Sequence, residues 1–348
     1  MNEAILSWVD DRLADLAGPA ADGPVRVGPV LESRVRPWGT VLRLPVASWF
    51  PRSPGSRGDW VWFKSSAPAT RYEATVTSVV AQRHAPAVVA PLAVDPDRGW
   101  LLLPDGGAPI AEAADDPAGA LAAAILEYGR LQRAVTPDSC ALVAAGVPDL
   151  RPSNLRRSFG DALLAARRAV IDAATACGDP DRKDLVLLRG QLAQINRRRE
   201  ELLAPVRVLE RSALRPSVDH NDLHPGNVLL GGGSPRFYDW GDASIAHPFA
   251  AVQLPLGYLR HVSRDEKLFT ETRDAYLEGF AGSACGEDLR ATLDAAVRLA
   301  PISRTLSWDR ALRLSRELGE PIDSEQLLAP ARTFVKLLDP EPYHWPWA

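Results

Sequence analysis

Two polar loops, separated by a short hairpin, interrupt the helical second half of the chain and constrain its fold more than any other feature. The first loop is 220–227 and the second is 238–242. Between them, two short apolar runs flank 231–235, which reads Gly-Gly-Gly-Ser-Pro and is typical of a turn between strands. We therefore expect a hairpin that lets residues from the two loops converge on one site.

The residue types in these loops suit phosphoryl transfer. That reaction needs a carboxylate within hydrogen-bond reach of the attacking hydroxyl, and Asp222 offers one. It also needs hard oxygen ligands to hold Mg²⁺ on the phosphates. Asn227 offers an amide oxygen and Asp239 a carboxylate, the ligand types that Mg²⁺ prefers. The spacing of His220, Asp222 and Asn227 matches the kinase catalytic loop H-R-D-x-x-x-x-N.

Other interpretations of the same loops remain open. Asp, Asn, Gly and Pro are common in turns, where an Asp often bonds only its own backbone. Alternatively, His220, Asp222 and His224 form a His-x-Asp-x-His cluster that could bind zinc in a metal-dependent hydrolase, with His247 the only further histidine nearby. That alternative leaves Asn227 and the second loop unexplained.

Lys64 is a candidate cation for nucleotide phosphates. It closes the β-rich run 60–64 and is one of only four lysines in the chain. Glu73 follows nine residues later on a predicted helix, where it could pair with Lys64 as in the kinase strand-lysine and helix-glutamate arrangement. A solvated lysine at a strand end is the alternative. No GxGxxG loop exists, and either 34–40 or 53–58 is a candidate to cover the phosphates.

The chain changes character near residue 104. Apolar positions in 3–17 repeat at helical spacing. Predicted β-rich runs, separated by Pro/Gly/Ser clusters, follow at 25–35, 40–46, 60–63 and 100–103, with one helix at about 70–84. After the break at 103–107 the chain is mainly helical. Predicted helices are 116–134, 155–177, 183–204, 263–282, 286–299, 302–317 and 324–338. We expect two domains, 1–103 and 108–348.

Composition removes several classes of protein. The chain has 348 residues, 46% hydrophobic and 24% charged, with a net charge of −4 and no basic tail, so nucleic acid is an unexpected partner. It contains no apolar run long enough to span a membrane, and its N-terminus does not resemble a signal peptide. Three cysteines far apart predict no disulfide framework. We expect a cytoplasmic protein.

Together these motifs resemble the aminoglycoside phosphotransferase and choline kinase-like superfamily. The resemblance rests on His220 to Asn227 and on Tyr238-Asp239-Trp240, and it extends over most of the chain. It implies an α+β, bilobal protein-kinase-like fold, with an N-terminal helical cap, a β-rich N-lobe and a mainly helical C-lobe. It also implies ATP and Mg²⁺ as cofactors.

The resemblance also implies roles for individual residues. Asp222 would be the catalytic base, and Asn227 and Asp239 would hold the metal. Segment 101–107, with Leu103 and Asp105, would lie against the adenine. One departure concerns 248–252, which lacks the Asp of the family's Pro-x-x-Asp-Leu pattern and puts the usual bracing of the catalytic loop in doubt.

The acceptor is expected to be a small polar molecule. Aromatic faces with charged groups are typical of sugar sites, and an ammonium is best met by carboxylates. Candidate acceptor residues are Asp242, Arg304, Trp308, Asp309 and His224. The alternative is an amphipathic helix with Trp308 in the core, and a packed loop histidine at His224. The overall layout resembles bacterial glucosamine kinases, which implies D-glucosamine as acceptor and an alcohol-group phosphotransferase.

Three other functions stay open on the sequence. An aminoglycoside phosphotransferase would use the same loops with a wide acidic pocket. A maltokinase-like enzyme would phosphorylate a neutral sugar. A degenerate kinase fold would serve as a nucleotide-binding scaffold, an idea that the poor phosphate loop favours and that the intact Asp222, Asn227 and Asp239 oppose.

Overall fold

The computed structural model describes residues 3–19, 23–36, 38–52, 56–179, 182–231, 233–343 and 345. These residues form two compact units. Unit 1 lies within residues 1–117 and 225–241, and unit 2 within 118–224 and 242–348. The chain therefore passes from unit 2 into unit 1 after His224 and returns after Gly241. The two polar loops of the sequence stand at these two crossings.

Strands and helices are numbered along the chain. The strands are β1 (Glu32–Arg36), β2 (Gly39–Pro45), β3 (Trp60–Ser66), β4 (Ala93–Asp95), β5 (Trp100–Pro104), β6 (Ala108–Pro109), β7 (Asp149–Leu150), β8 (Ser217–Asp219), β9 (Val228–Gly231), β10 (Ser234–Phe237) and β11 (Ser244–Ala246). The helices are α1 (Glu3–Ala17), α2 (Glu73–Arg83), α3 (Ile110–Ala113), α4 (Pro117–Val135), α5 (Ser139–Ala144), α6 (Leu155–Cys177), α7 (Lys183–Arg197), α8 (Arg199–Leu202), α9 (Val206–Arg211), α10 (Gln253–Tyr258), α11 (Glu266–Ala281), α12 (Leu289–Ala311), α13 (Arg313–Leu318) and α14 (Ser324–Phe334).

Unit 1 is built on an antiparallel sheet with the strand order β1-β2-β3-β5-β4. Side chains alternate between its two faces. On one face, Leu42, Phe63 and Leu102 are buried, and α1 covers them with Val9 and Leu13. The predicted N-terminal helix is thus present and covers the back of the sheet, which leaves the opposite face to line a cleft.

The hairpin between the polar loops is also part of unit 1. Strands β9 and β10 pair antiparallel, with Val228 opposite Phe237, and β6 pairs with the other edge of β9. Both Val228 and Phe237 are fully buried. Buried apolar side chains therefore help to fix the hairpin. The first polar loop ends directly before Val228, and the second begins directly after Phe237.

Unit 2 is helical, with one small sheet in the order β7-β11-β8. Its core is formed mainly by α6, α12 and α14, which bury residues such as Phe159, Ile302 and Phe334. Strands β8 and β11 pair antiparallel, with Asp219 opposite Ser244. This pairing holds the start of the first polar loop beside the chain that follows the second.

Several predicted elements differ from the structure. The predicted helix 183–204 is divided into α7 and α8 at Arg198. The run 25–35 is a strand only from Glu32 onward. The break between two helices near residue 300 does not exist, because α12 continues through Pro301 to Ala311. A proline inside a helix costs about 3 kcal/mol, but residues 299–305 are all buried, and that packing outweighs the cost.

Within the described residues, no helix combines the length and apolarity needed to cross a membrane.

Candidate active site

Lys64 lies between two carboxylates of unit 1. Its Nζ is 2.6 Å from Glu73 Oε1 and 2.6 Å from Asp239 Oδ1. Glu73 is only 2% exposed, and Ser66 Oγ donates to its Oε2 at 2.7 Å. Burial by itself would lower the pKa of Lys64, but the charges of Asp239 and Glu73 outweigh burial and raise it. Burial raises the pKa of Glu73 against the opposing effect of Lys64. The lysine is therefore held cationic.

Lys64 projects into a cleft of about 370 Å³ within unit 1. Strand register explains its lining, because Val41 and Leu101 flank Lys64 on β2 and β5, and Arg43 and Leu103 flank Trp62. Arg34 of β1 also lines the cleft. The cleft thus combines an apolar wall with four basic residues, Arg34, Arg43, Arg57 and Lys64.

Leu103 and Asp105 lie at the edge of this cleft. The side chain of Asp105 is buried and accepts a hydrogen bond from the backbone N–H of Arg57 at 2.5 Å. Asp105 therefore ties the segment after β2 to the segment after β5. Of the two candidate phosphate-covering segments, Arg34 is in the cleft, Pro37 lies outside the described residues, and so does the 53–55 part of the second candidate.

Asp239 stands in a strained loop. Its φ is 65°, and Asn221 in the first loop has a φ of 60°, a left-handed region that non-glycine residues adopt at a cost of about 1–3 kcal/mol. Tyr238 Oη donates to the carbonyl of Gly226 at 2.7 Å, and Tyr72 Oη donates to that of Gly241 at 2.8 Å. These bonds hold the second loop in place beside Asn227.

The chemistry of this loop suits Mg²⁺ on a nucleotide. No group of three or more His, Cys, Asp or Glu side chains able to hold a metal occurs in the described part of the chain. Mg²⁺ does not need one, since it is commonly bound by one or two protein oxygens together with substrate phosphates and water. The Asp239 side chain is 46% exposed, so it remains open to a metal although Oδ1 bonds Lys64. By contrast, His220, Asp222 and His224 form no such group, and the zinc alternative gains no support.

Asp222 lies in unit 2 and is held by Arg304. The Arg304 Nη2 atom donates to Asp222 Oδ1 at 2.7 Å, and its Nη1 donates to the carbonyl of Asn221. His224 Nε2 is 3.6 Å from Asp222 Oδ2. Burial acts to raise the pKa of Asp222, but Arg304 and the neighbouring histidines hold it well below its usual range. The carboxylate is 22% exposed and stays ionised.

The loop around Asp222 is braced by residues that the sequence did not single out. Tyr128 of α4 accepts from the backbone N–H of His220 at 2.8 Å. Asn221 donates from Nδ2 to Ser307 Oγ of α12 at 2.6 Å. Together with Arg304, these contacts from two helices support the loop, which lacks the brace expected from an aspartate within 248–252. Asn221 is marked by its left-handed backbone, which is a feature of the structure and is not visible in the sequence.

Asp219 is a further buried carboxyl at the start of the loop. It is 2% exposed and accepts from the backbone N–H of Asn221 at 2.8 Å. Burial raises its pKa to about 7, although Asn221 and Arg304 act in the opposite direction, and Asp242 adds to the rise. The carboxyl groups of Asp219 and Asp242, on either side of the excursion into unit 1, therefore interact electrostatically within unit 2.

The structure does not bring all of the remaining predicted acceptor residues together. Arg304 contacts Asp222, and Trp308, one helical turn later, is partly buried. Asp309 instead accepts from Arg316 Nη1 at 2.8 Å and lies 3.6 Å from Arg168 Nη1. At about 100° per residue, Asp309 is turned well away from the Arg304 side of the helix. The structure therefore does not bring Asp309 to Asp222.

These features define the class of protein. A sheet carrying a Lys–Glu pair and an acidic loop, combined with a helical unit carrying an Asp loop, is the architecture of a protein-kinase-like phosphotransferase. The chain belongs to the phosphotransferase enzyme family known as APH, whose model matches residues 61–252. No curated protein sequence matches the chain significantly.

Solved structures share this fold at low sequence identity. Choline kinase from Cryptosporidium parvum Iowa II has a TM-score of 0.59 and 11% identity, covering 97% of this chain and 96% of its own. Amicoumacin kinase hAmiN, in complex with AMP-PNP, Ca²⁺ and amicoumacin, has a TM-score of 0.53 and 13% identity over 99% and 95%. A choline/ethanolamine kinase family protein from Mesorhizobium loti has a TM-score of 0.50 and 17% identity over 97% and 96%.

The comparisons confirm the expected superfamily and the α+β kinase-like fold. They make the chain a kinase-like phosphotransferase, and the expected nucleotide and divalent metal agree with those bound by amicoumacin kinase. They leave the acceptor unresolved, so the more specific identification with glucosamine kinases stays a prediction.

Proposed function

We propose that this protein is a small-molecule kinase that transfers a phosphoryl group from ATP to a hydroxyl of a small polar acceptor, with Mg²⁺. The observation that carries the proposal is the position of Lys64, bonded at 2.6 Å to both Glu73 and Asp239 on the wall of the unit 1 cleft. Phosphoryl transfer is catalysed mainly by positioning and electrostatic stabilisation, and this arrangement supplies a fixed cation beside a metal-ligand carboxylate.

The nucleotide is proposed to occupy the unit 1 cleft. Its apolar wall, with Val89, Leu101, Leu103 and Leu229, suits an adenine ring. Lys64 would contact the phosphates, with Arg34 and Arg43 as further cations. The buried side chain of Asp105 is already engaged by Arg57, so its proposed contribution is to fix the segment beside the base.

Asn227 and Asp239 are the proposed metal ligands. Both are oxygen donors in unit 1, one at the start of β9 and the other after β10. When bound there, Mg²⁺ supplies neutralisation of charge on the phosphate oxygens. The bond from Tyr238 to Gly226 supports this assignment, because it holds the segments bearing the two ligands together.

Asp222 is the proposed catalytic residue. Its carboxylate orients the acceptor hydroxyl and receives the proton as the oxygen attacks. Because Arg304 holds its pKa low, Asp222 is ionised at neutral pH and ready to accept a hydrogen bond from the hydroxyl. The low pKa also makes orientation the larger part of its role, with proton transfer late in the reaction.

For the acceptor we propose an amino sugar, with D-glucosamine as the first candidate. Support comes from the ionised carboxylate of Asp222 and from the nearby carboxyl of Asp242 in the same unit, which would favour an ammonium group. Arg304, Trp308 and His224 would contribute hydrogen bonds and an apolar face. An aminoglycoside carries the same chemical groups, so an antibiotic phosphotransferase is the second candidate.

A coupled ADP-release assay tests the proposal. The purified chain is incubated with MgATP and, separately, glucosamine, N-acetylglucosamine, glucose, maltose, choline and kanamycin. Turnover with glucosamine and none with N-acetylglucosamine would support recognition of the amine, whereas turnover with kanamycin would support a resistance enzyme. Turnover with glucose or maltose at equal rates would contradict an amine-selective acceptor site. Absence of ADP release with every acceptor, despite ATP binding, would favour the scaffold alternative.

A further inference from the structure

A second large groove lies in unit 2, on a different side of α12 from Asp222. Its volume is about 980 Å³. Five arginines line it: Arg157, Arg168, Arg310, Arg313 and Arg316. We call it the α12 groove. None of the residues to which the proposed function gives a role in ATP or metal binding lines it.

Helical geometry separates the α12 groove from the contact to Asp222. At about 100° per residue, Arg304 lies about 120° from Arg310 around α12 and about 160° from Leu306, which also lines the groove. Ser307 lies between them, about 60° from both Arg304 and Arg310. The α12 groove therefore lies on a different side of the helix from the contact between Arg304 and Asp222.

The charges of the α12 groove favour an anion. Four carboxylates line it beside the five arginines: Asp149, Asp161, Asp309 and Glu317. Asp149 is paired with Arg151, and Asp309 with both Arg168 and Arg316, so three arginines remain against Asp161 and Glu317. Among the residues that the structure describes, Arg310 has no carboxylate within ion-pair distance. The same holds for Arg157 and Arg313. Guanidinium groups bind carboxylate and phosphate through two parallel hydrogen bonds, so such a cluster suits an oxyanion.

Arg310 links the α12 groove to the catalytic loop. Its Nη2 donates to Ser307 Oγ at 2.7 Å, and the same oxygen accepts from Asn221 Nδ2 at 2.6 Å. Asn221 immediately precedes Asp222 and has the strained φ of 60°. A ligand that draws Arg310 towards the groove would therefore change the hydrogen bond that holds Asn221.

We propose that the α12 groove is a second ligand site, which binds a small molecule bearing a carboxylate or phosphate group. Its occupancy alters the catalytic loop through Arg310, Ser307 and Asn221. The shared chemistry of the ligand is an oxyanion that two or more guanidinium groups can clasp. This site is separate from the proposed kinase site, and its existence does not depend on which acceptor is phosphorylated.

Calorimetry with citrate and with pyrophosphate tests binding. The full chain is compared with the double variant Arg157→Gln/Arg313→Gln and with a matched control, Arg197→Gln/Arg207→Gln, which removes two exposed arginines of unit 2 outside the groove. We expect at least one probe to bind the wild type and the control alike, and the groove variant at least tenfold more weakly. Tighter citrate binding assigns a carboxylate ligand, and tighter pyrophosphate binding a phosphate.

Lys64→Met separates the α12 groove from the nucleotide cleft. Retained probe binding in Lys64→Met is expected. Binding that is lost in Lys64→Met and kept in the groove variant would overturn the proposal, as would binding of neither probe.

The link between the α12 groove and the catalytic loop is measured by hydrogen exchange of residues 219–224. The bound probe should change exchange there in the wild type and not in Ser307→Ala, whereas equal changes in both would contradict the relay. Neither readout requires turnover, so failure here is distinguishable from failure of the kinase proposal.

Discussion

Arg304 on α12 donates to Asp222 in the loop after β8, with Nη2 and Oδ1 2.7 Å apart. The same guanidinium bonds the carbonyl of Asn221, so one side chain holds both the carboxylate and its backbone. Arg304 is 9% exposed, which limits screening of this ion pair by solvent. The pair keeps Asp222 ionised and fixes its orientation, and it makes Arg304 a positioning residue as well as a proposed acceptor contact.

Replacing Arg304 should therefore change the pH dependence of turnover. With the arginine present, the pKa of Asp222 lies well below its usual range, so no acid limb from Asp222 is expected near neutral pH. In Arg304→Met, only the neighbouring histidines still oppose burial, so the pKa of Asp222 should rise and an acid limb should appear below neutral pH. The measurement is kcat/KM from pH 5 to 9, with Arg304→Lys as the conservative control. Superimposable profiles for wild type and Arg304→Met would contradict the electrostatic role.

Lys64→Met should lower both stability and nucleotide affinity. Removing the ammonium leaves the buried carboxylate of Glu73 without its ion pair, which costs about 3 kcal/mol of unfolding free energy. The double variant Lys64→Met/Glu73→Gln should recover most of that stability, because a neutral amide can still bond Ser66. It should not recover ATP binding. Urea unfolding and titration with a fluorescent ATP analogue measure the two effects.

A double variant as weak in stability as the single one would show that the lost free energy does not come from the unpaired Glu73. Recovered ATP affinity in the double variant would remove Lys64 from the phosphate site. Lys183→Met, at the start of α7 in unit 2, is the matched control and should change neither quantity.

Asp219 should make stability depend on pH. Its pKa is about 7 in the folded protein, above the value of about 3.9 in an unfolded chain. Between these values the folded state binds the proton and the unfolded state does not, so stability falls as pH rises through that range. The loss of unfolding free energy is complete once the pH exceeds the pKa of Asp219 in the folded protein. Asp219→Asn keeps an acceptor for the Asn221 N–H and should flatten this part of the curve.

Urea unfolding at several pH values between 4 and 8 checks this expectation. The variant should gain stability relative to wild type at pH 8 and gain little at pH 4, where Asp219 is protonated in both states. Equal slopes for the two proteins would mean that Asp219 is ionised in the folded protein at neutral pH.

Local patterns in the sequence were sufficient for much of the fold. The helix 155–177 was predicted at its observed bounds, because its apolar residues recur at helical spacing and Gly178, with a φ of 66°, ends it. The Lys64–Glu73 pair was readable from a strand end followed by a helix start. The predicted helix break near Pro301 was wrong. A local rule for helix ends takes no account of tertiary burial, which stabilises α12 through Pro301.

The contacts that hold the catalytic loop could not be predicted from local sequence patterns. Tyr128 and Ser307 reach the loop from helices about 90 residues away in sequence, and no local pattern indicates which polar side chain of a helix will meet a distant backbone. Asp309 was different. Its position 100° beyond Trp308 already argued against a shared face with Arg304, and the structure places it with Arg316 instead.

The central claim is that Asp222 serves phosphoryl transfer, and Asp222→Asn tests it most directly. The variant keeps the shape of the side chain and an acceptor for Arg304, so it should fold with an unchanged cleft and bind ATP normally. ADP release with MgATP and the best acceptor should fall by about 10²- to 10⁴-fold. Asp97→Asn, in the exposed turn before β5, is the matched control and should retain full activity. Full ADP release by a folded Asp222→Asn protein would contradict the assignment.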